Sequence, residues 1–160
     1  MRTLNQTHTF LKDLTADSIK KRRDAAIGLG KAGAVHAIGP LSDAMGDVNP
    51  SVRVEAARAI GRLRDSQGLP ALHRALKDSD PNVRAAAISA LGMICDPTSE
   101  ENLLDCLRDR VPEVRMGAVQ ILGKLGDKRA IIPLHSLLSD PYSDIRDATQ
   151  EAILKLTKKE

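Results

Sequence analysis

Apolar residues recur along the chain at intervals of three and four, and the pattern restarts every 31 residues. In NPSVRVEAARAIGRL the positions Val52, Ala56, Ala59, Ile60 and Leu63 share one face of a predicted helix. A break containing Asp65 follows, and GLPALHRALKD then sets Leu69, Leu72, Ala75 and Leu76 on one face of a second helix. Helix A and helix B together make one unit. The offset of 31 also aligns Arg22, Arg53, Arg84, Arg115 and Arg146, and with them Asp47, Asp78, Asp109 and Asp140. Three further columns hold Gly30, Gly61, Gly92 and Gly123, then Leu41, Leu72, Leu103 and Leu134, then Met45, Leu76, Leu107 and Leu138. Helix pairs this small cannot bury their apolar faces alone, so the units must stack as a solenoid.

Turn chemistry sets the boundaries. Asn49-Pro50, Asp80-Pro81 and Asp140-Pro141 each place a capping side chain before a proline suited to a first helical turn, which predicts three helix-A starts. Asp96 and Asp127 repeat the break of Asp65, and Pro40, Pro70 and Pro133 fit the first turn of helix B. TFLKDLTAD reads as a lone helix B with Phe10 and Leu14 inward. PYSDIRDATQEAILKLTKKE reads as a lone helix A with Asp147, Gln150, Glu151, Lys155, Lys158 and Lys159 in solvent. The expectation is about ten helices in a single domain over 1–160. A capping helix spans 1–17, repeats span 18–47, 48–78, 79–109 and 110–140, and a second capping helix spans 141–160.

The D-x5-R spacing, the VRxxAxxALG block and the AxxPLxxLLxD block resemble the HEAT-like repeats of phycobilisome (bilin) lyase subunits, most closely in DPNVRAAAISALG and RAIIPLHSLLSD. The resemblance runs over residues 10–158 and implies an all-α, right-handed HEAT-like α-solenoid. It also implies a ladder between units through Asp47, Arg53, Asp78, Arg84, Asp109, Arg115, Asp140 and Arg146. A separation of six residues, as from Asp78 to Arg84, spans the turn from helix B to the next helix A, where arginine pairs bidentately with a carboxylate. In the glycine column an interior glycine costs roughly 0.5–1 kcal/mol against alanine, so its repetition predicts close helix approach rather than a phosphate loop.

Composition narrows the function. The only aromatic residues are Phe10 and Tyr142, so stacking platforms, base-flipping pockets and aromatic cages lack their rings. The lesion-binding aromatics of HEAT-like DNA glycosylases are missing as well. His8, His36, His73 and His135 are each followed by a residue other than Glu, whereas the HEAT-like deoxyhypusine hydroxylase holds iron on His-Glu pairs. His73 and His135 share a column but lie two repeats apart, too far to share a metal. Cys95 and Cys106 read as reduced core fillers. No nucleophile elbow, phosphate loop or metal cluster occurs, so the expectation is a non-enzyme with no cofactor and no metal. The start MRTLNQTHTF carries no signal-peptide core and no run is long enough to span a bilayer, which predicts a cytoplasmic protein without a membrane.

Charge is uneven. Residues 18–77 carry eleven Lys/Arg against five Asp/Glu, and 78–147 carry eight against twelve. Lys20, Lys21, Arg22, Arg23, Lys31, Arg58, Arg62 and Arg64 supply the basic half. That half offers a nucleic-acid reading, which the acidic second half argues against because it breaks the stripe that phosphate tracking needs. In HEAT-like arrays helix B lines the concave face. Arg74, Lys77, Asp105 and Arg108 are therefore the candidate partner contacts, beside Glu101, Ile132, Ser136 and Ser139, with Gly39, Asp43 and Gly46 leaving room in the first repeat. The cations favour a protein or peptide partner with an acidic segment. On helix A of the third and fourth repeats, Ala85, Ala86, Ser89, Met93, Met116, Gly117 and Gln120 form a face almost without charge, a candidate apolar interface for a homo-dimer. The expected function is a protein-binding scaffold, adaptor or regulatory subunit. The resemblance itself offers the alternative of a bilin-lyase-like or chaperone-like subunit acting on a chromophore protein.

Overall fold

The computed structural model of the protein describes residues 2–158, with side chains from residue 5; Lys159 lies outside the described residues. Among the described residues every regular element is helical, ten α-helices joined by turns that include five short 3-10 segments. Contacts gather the chain into two compact units, Met1–Ile94 and Cys95–Glu160. The boundary falls inside the 79–109 repeat, between its two helices, rather than at a repeat edge.

In the first unit the helices are α1 (Arg2–Asp13), α2 (Ile19–Lys31), α3 (Ile38–Ala44), α4 (Pro50–Leu63), α5 (Leu69–Ala75) and α6 (Pro81–Ile94). The A helices α2, α4 and α6 pack side by side, and the B helices α1, α3 and α5 each lie against the A helix that follows. Leu29, Ile60 and Leu91 are fully buried at matching positions, as are Leu41 and Leu72, and Val52 and Val83. The repeat in sequence is thus a repeat of core layers. The second unit holds α7 (Glu100–Cys106), α8 (Pro112–Leu125), α9 (Ile131–His135) and α10 (Ser143–Lys158), and continues the same columns with Leu103, Leu134, Leu122 and Ile145.

Helices α5, α7 and α9 are shorter than the apolar pattern suggests. Asp65, Asp96 and Asp127 accept the N–H two residues on, from Gln67, Thr98 and Arg129, each at 2.9 Å. These bonds hold a 3-10 turn ahead of α5, α7 and α9, so the aspartates of the breaks act as caps. Pro40 and Pro133 stand third in their helices and Pro70 second, all in a first turn with no internal bond to lose.

Three expectations need correction. Asp140 does not cap α10, which starts at Ser143. Capping belongs two residues later, to the column of Asn49 and Asp80, which accept from Ser51 and Asn82. Cys95 is no core filler: it is exposed at φ 59, in the left-handed conformation that ends its helix, as Arg64, Gly33 and Gly126 do in the same column, whereas Cys106 is buried. Both cysteines are free. Leu138 is 39% exposed although its column partner Leu107 is buried, because α9 gives way to a 3-10 segment over Ser136–Ser139 that turns it outward.

The Asp–Arg ladder exists, with a different pairing. Arg53 donates from Nε and Nη2 to both carboxylate oxygens of Asp78, each at 2.8 Å, a separation of 25 residues rather than six. Its Nη1 donates backwards to the carbonyl of Asp47 at 2.8 Å. Arg22 repeats the fork with Asp47 at 2.6 and 3.0 Å, and in the second unit Arg115 does so with Asp140 at 2.7 and 3.0 Å. The six-residue spacing is real but serves the backbone: Arg84, Arg115 and Arg146 give Nη1 to the carbonyls of Asp78, Asp109 and Asp140, each at 2.8 Å. Each aspartate also ties its own turn, accepting from the N–H of Asn49, Asp80, Val111 or Tyr142. The Arg22 guanidinium holds Asp47 below the usual carboxylate range, and Arg115 does the same to Asp140. For Asp78, burial pushes upward, but the bonds from Arg53 and the Asp80 N–H outweigh it and the net shift is down.

Glycine at position 61 is compulsory: a Cβ there would lie 2.7 Å from the Cα of Ala90, backbone against backbone between α4 and α6. Gly61→Ala should therefore destabilise by about 1–3 kcal/mol, overriding the gain in helix propensity, as read by chemical denaturation. Arg53→Ala should cost about 1.5–3 kcal/mol, and Arg53→Lys should recover little, because one ammonium cannot serve both turns. With their pKa values lowered by folding, the ladder carboxylates contribute stability that is present above the ordinary aspartate value of about 4 and lost progressively as the pH falls from there through their lowered folded values. Arg53→Ala should lose part of that acid dependence.

Candidate functional site

The candidate contacts on the B helices all reach solvent. In the first unit Arg74 and Lys77 are exposed at the end of α5, and Gly39, Asp43 and Gly46 are exposed on and beyond α3. A hollow of about 120 Å³ between these helices is floored by Gly46, Ala71 and Ala75 and edged by Arg74 and the ladder residue Asp78. Small side chains in this register make the space. The ladder beneath fixes the spacing of its walls, since Asp78 is gripped by Arg53.

In the second unit α7 and α9 frame a groove of about 420 Å³, lined by Leu104, Asp105, Leu107, Arg108, Ile132 and Ser136. Ile132 is 83% exposed, and Asp105 and Arg108 are exposed beside it. A large aliphatic side chain of α9 is exposed in the same groove as a cation and an anion at α7, an arrangement that suits a segment carrying both apolar and charged residues. Among the described residues no carboxylate pairs with Arg74, Lys77 or Arg108.

The helix-A face is less open than its sequence suggests. In the first unit Ser89 and Met93 are exposed, Met93 to 38%, but Ala85 is half-buried and Ala86 is buried against the neighbouring helix. In the second unit Gln120 is exposed while Met116 and Gly117 are half-buried. The basic set of the first unit is partly spent as well. Arg22 belongs to the ladder, Arg58 pairs with Glu55 at 2.7 Å and Arg23 with Asp24 at 3.4 Å. His135 is held by the Ile131 carbonyl at 2.8 Å, and no group of His, Cys, Asp and Glu among the described residues is placed to hold a metal.

One constellation escaped the sequence analysis. Glu100 opens α7 and is 4% exposed. Its Oε2 accepts from Arg129 Nη2 at 2.7 Å, and the same nitrogen reaches Asp127 at 2.8 Å. Its Oε1 is buried with no hydrogen-bond partner among the described residues. Burial raises the Glu100 pKa, and the neighbouring Asp127 carboxylate raises it further against the pull of Arg129. Asp127 is lowered to about 2 by its bonds from Arg129. The signal was available in the columns: Ile38, Leu69 and Ile131 occupy the equivalent places, so Glu100 is a carboxylate in an aliphatic column.

Comparison with known proteins supplies the family. The profile for HEAT repeats matches residues 8–78, 39–110 and 69–153. The chain belongs to the HEAT-repeat family. A search of curated protein sequences finds no match. Among solved structures, the chain is similar to one in the complex of CpcE and CpcF of phycocyanin lyase from Nostoc sp. PCC7120, with a TM-score of 0.83 and 26% identity over 94% of this chain. It spans 65% of that chain's length. A designed armadillo repeat protein in complex with the peptide (KR)4 gives a TM-score of 0.74 at 20% identity, over 92% of this chain and 80% of that one. An engineered protein gives 0.73 at 21%, over 94% and 79%. The fold is thus an α-solenoid repeat fold of the kind used by protein-interaction scaffolds. No helix of the described residues is long and apolar enough to cross a membrane.

Because folding raises the Glu100 pKa, its charge opposes the folded state at neutral pH, and protonation relieves that cost as the pH falls. Glu100→Gln should therefore melt no lower than the wild type at pH 7. As the pH falls below the ordinary glutamate value of about 4.3, where the carboxyl is protonated in both the folded and the unfolded state, the two should converge. A large loss of melting temperature at pH 7 would contradict this sign.

Proposed function

We propose that the chain is a non-catalytic protein-binding module that holds a partner segment on its helix-B face. The groove between α7 and α9 carries the reading: Ile132 is exposed and unpartnered there, with Arg108 and Asp105 at the same rim. An apolar side chain of the partner would cover Ile132, an acidic one would meet Arg108, and Asp105 would set direction. In the first unit Arg74 and Lys77 offer the same charge beside their own hollow. Rim charges of this kind tune association rate and specificity more than affinity, so salt should slow capture.

A second reading has its own support in the similarity to the phycocyanin lyase complex, which consists of two different chains. On that reading the chain is a subunit that acts on a chromophore protein together with another subunit, and the same helix-B face would contact its partner. Copies of the chain meeting through Met93 on the helix-A face are the competing use of the surface.

Charge reversal and apolar-to-charge substitution separate these uses. Arg108→Glu with Ile132→Glu should weaken a captured partner at least tenfold in a binding titration, a change of about 1.4 kcal/mol, while sedimentation stays unchanged. Arg74→Glu with Lys77→Glu should weaken it less. If both pairs bind as the wild type does and Met93→Glu alone changes the oligomeric state, the helix-B assignment is wrong.

A further inference from the structure

Beside the groove, and separate from it in chemistry, lies a pocket of about 450 Å³ at the start of α7, lined by Pro97, Thr98, Glu100, Glu101, Leu104 and Arg129. The carboxylates of Glu100 and Glu101 line it, and Asp127 stands behind the single guanidinium of Arg129. That guanidinium already spends Nε and Nη2 on the Asp127 and Glu100 carboxylates. It bridges Glu100 and Asp127, and its side chain is 78% exposed, so it lies over the pocket wall rather than filling the space. What remains is a surplus of negative charge, a buried Glu100 oxygen without a donor, and an exposed Glu101 at the mouth.

The placement is not explained by packing. Equivalent positions in the other repeats are Ile38, Leu69 and Ile131, so an aliphatic residue satisfies this fold wherever the repeat is free of other demands. A buried acceptor left unpaired is a standing cost to the folded state, and a residue that breaks its own column at such a cost marks a site. A positively charged donor entering the pocket would satisfy that oxygen and offset the surplus charge.

We propose that this pocket receives one arginine side chain of a protein partner, its guanidinium held by Glu100 and Glu101 and its methylene stem lying between Pro97 and Leu104. A guanidinium fits better than an ammonium because it brings several donors in one plane to two carboxylates, and because its weak hydration lowers the cost of entering a half-enclosed space. The site needs neither Arg108 nor Ile132, so it stands or falls apart from the groove. Leu104 lines both hollows, which allows one segment to present an acidic residue to Arg108 and an arginine to Glu100.

The test uses the full chain and N-acetyl-arginine amide as the probe, followed by backbone amide NMR. Saturable shifts are expected at Thr98, Glu101 and Leu104, absent with the uncharged N-acetyl-citrulline amide. Glu100→Gln and Glu101→Gln should each weaken the titration at least threefold, while Arg108→Glu leaves it unchanged. Should Glu100→Gln fail to fold, the exposed Glu101→Gln decides alone. No saturable shift, an equal response to the citrulline amide, or wild-type titration in the folded variants overturns the site. An equal response to N-acetyl-lysine amide overturns the preference for a guanidinium.

Discussion

Everything in this chain is arranged around an arginine that is asked to hold two turns at once. Arg53 forks onto the carboxylate of Asp78 and reaches back to the carbonyl of Asp47, so one side chain sets the distance between two consecutive helix-B-to-helix-A turns. A guanidinium suits the task because its donors lie in one rigid plane and face two directions, which an ammonium cannot reproduce. Asp47, Asp78 and Asp140 are equally committed, each accepting from an arginine and from an N–H of its own turn. Removing any member leaves a partly buried group without a partner, which accounts for the unbroken recurrence of both columns within one chain.

With the turns fixed, the helices between them can approach closely. Gly61 meets Ala90 backbone to backbone, and the aliphatic columns of Leu29, Ile60 and Leu91 then close without large aromatic side chains. Gly28 lets the ring of Phe10 lie against α2, which seats the first helix as a lid on the first unit. A core of small and branched side chains leaves little room for invention inside the stack. Variation is pushed to the outer faces of the short B helices.

Those faces are where binding chemistry collects. Small residues open hollows on the B helices, exposed cations stand at their rims, and Ile132 is left uncovered. The Glu100 pocket is of another kind, because its carboxylate is buried and intrudes on a column that is otherwise aliphatic. Local consistency holds through most of the chain and fails at that position. The failure is informative because the repeats supply their own reference for what the fold alone requires.

The order of helices, the two aliphatic columns that begin at Leu41 and Met45 and the close approach at glycine were all readable from a period of 31, since a repeated core imposes a repeated sequence. The identity of ladder residues was readable for the same reason. Their pairing was not, because a spacing of six and one of 25 satisfy the same columns, and only the packed helices bring Arg53 to Asp78 while leaving Asp47 its carbonyl to offer. Cys95 was misjudged because helical spacing ignores a left-handed last residue that turns the side chain to solvent. Glu100 was overlooked for a related reason: linear spacing shows that a carboxylate occupies an aliphatic column, but not what surrounds it. Its burial, its bond to Arg129 and its unpaired oxygen arise from residues 27 and 29 positions away that only the folded second unit brings together.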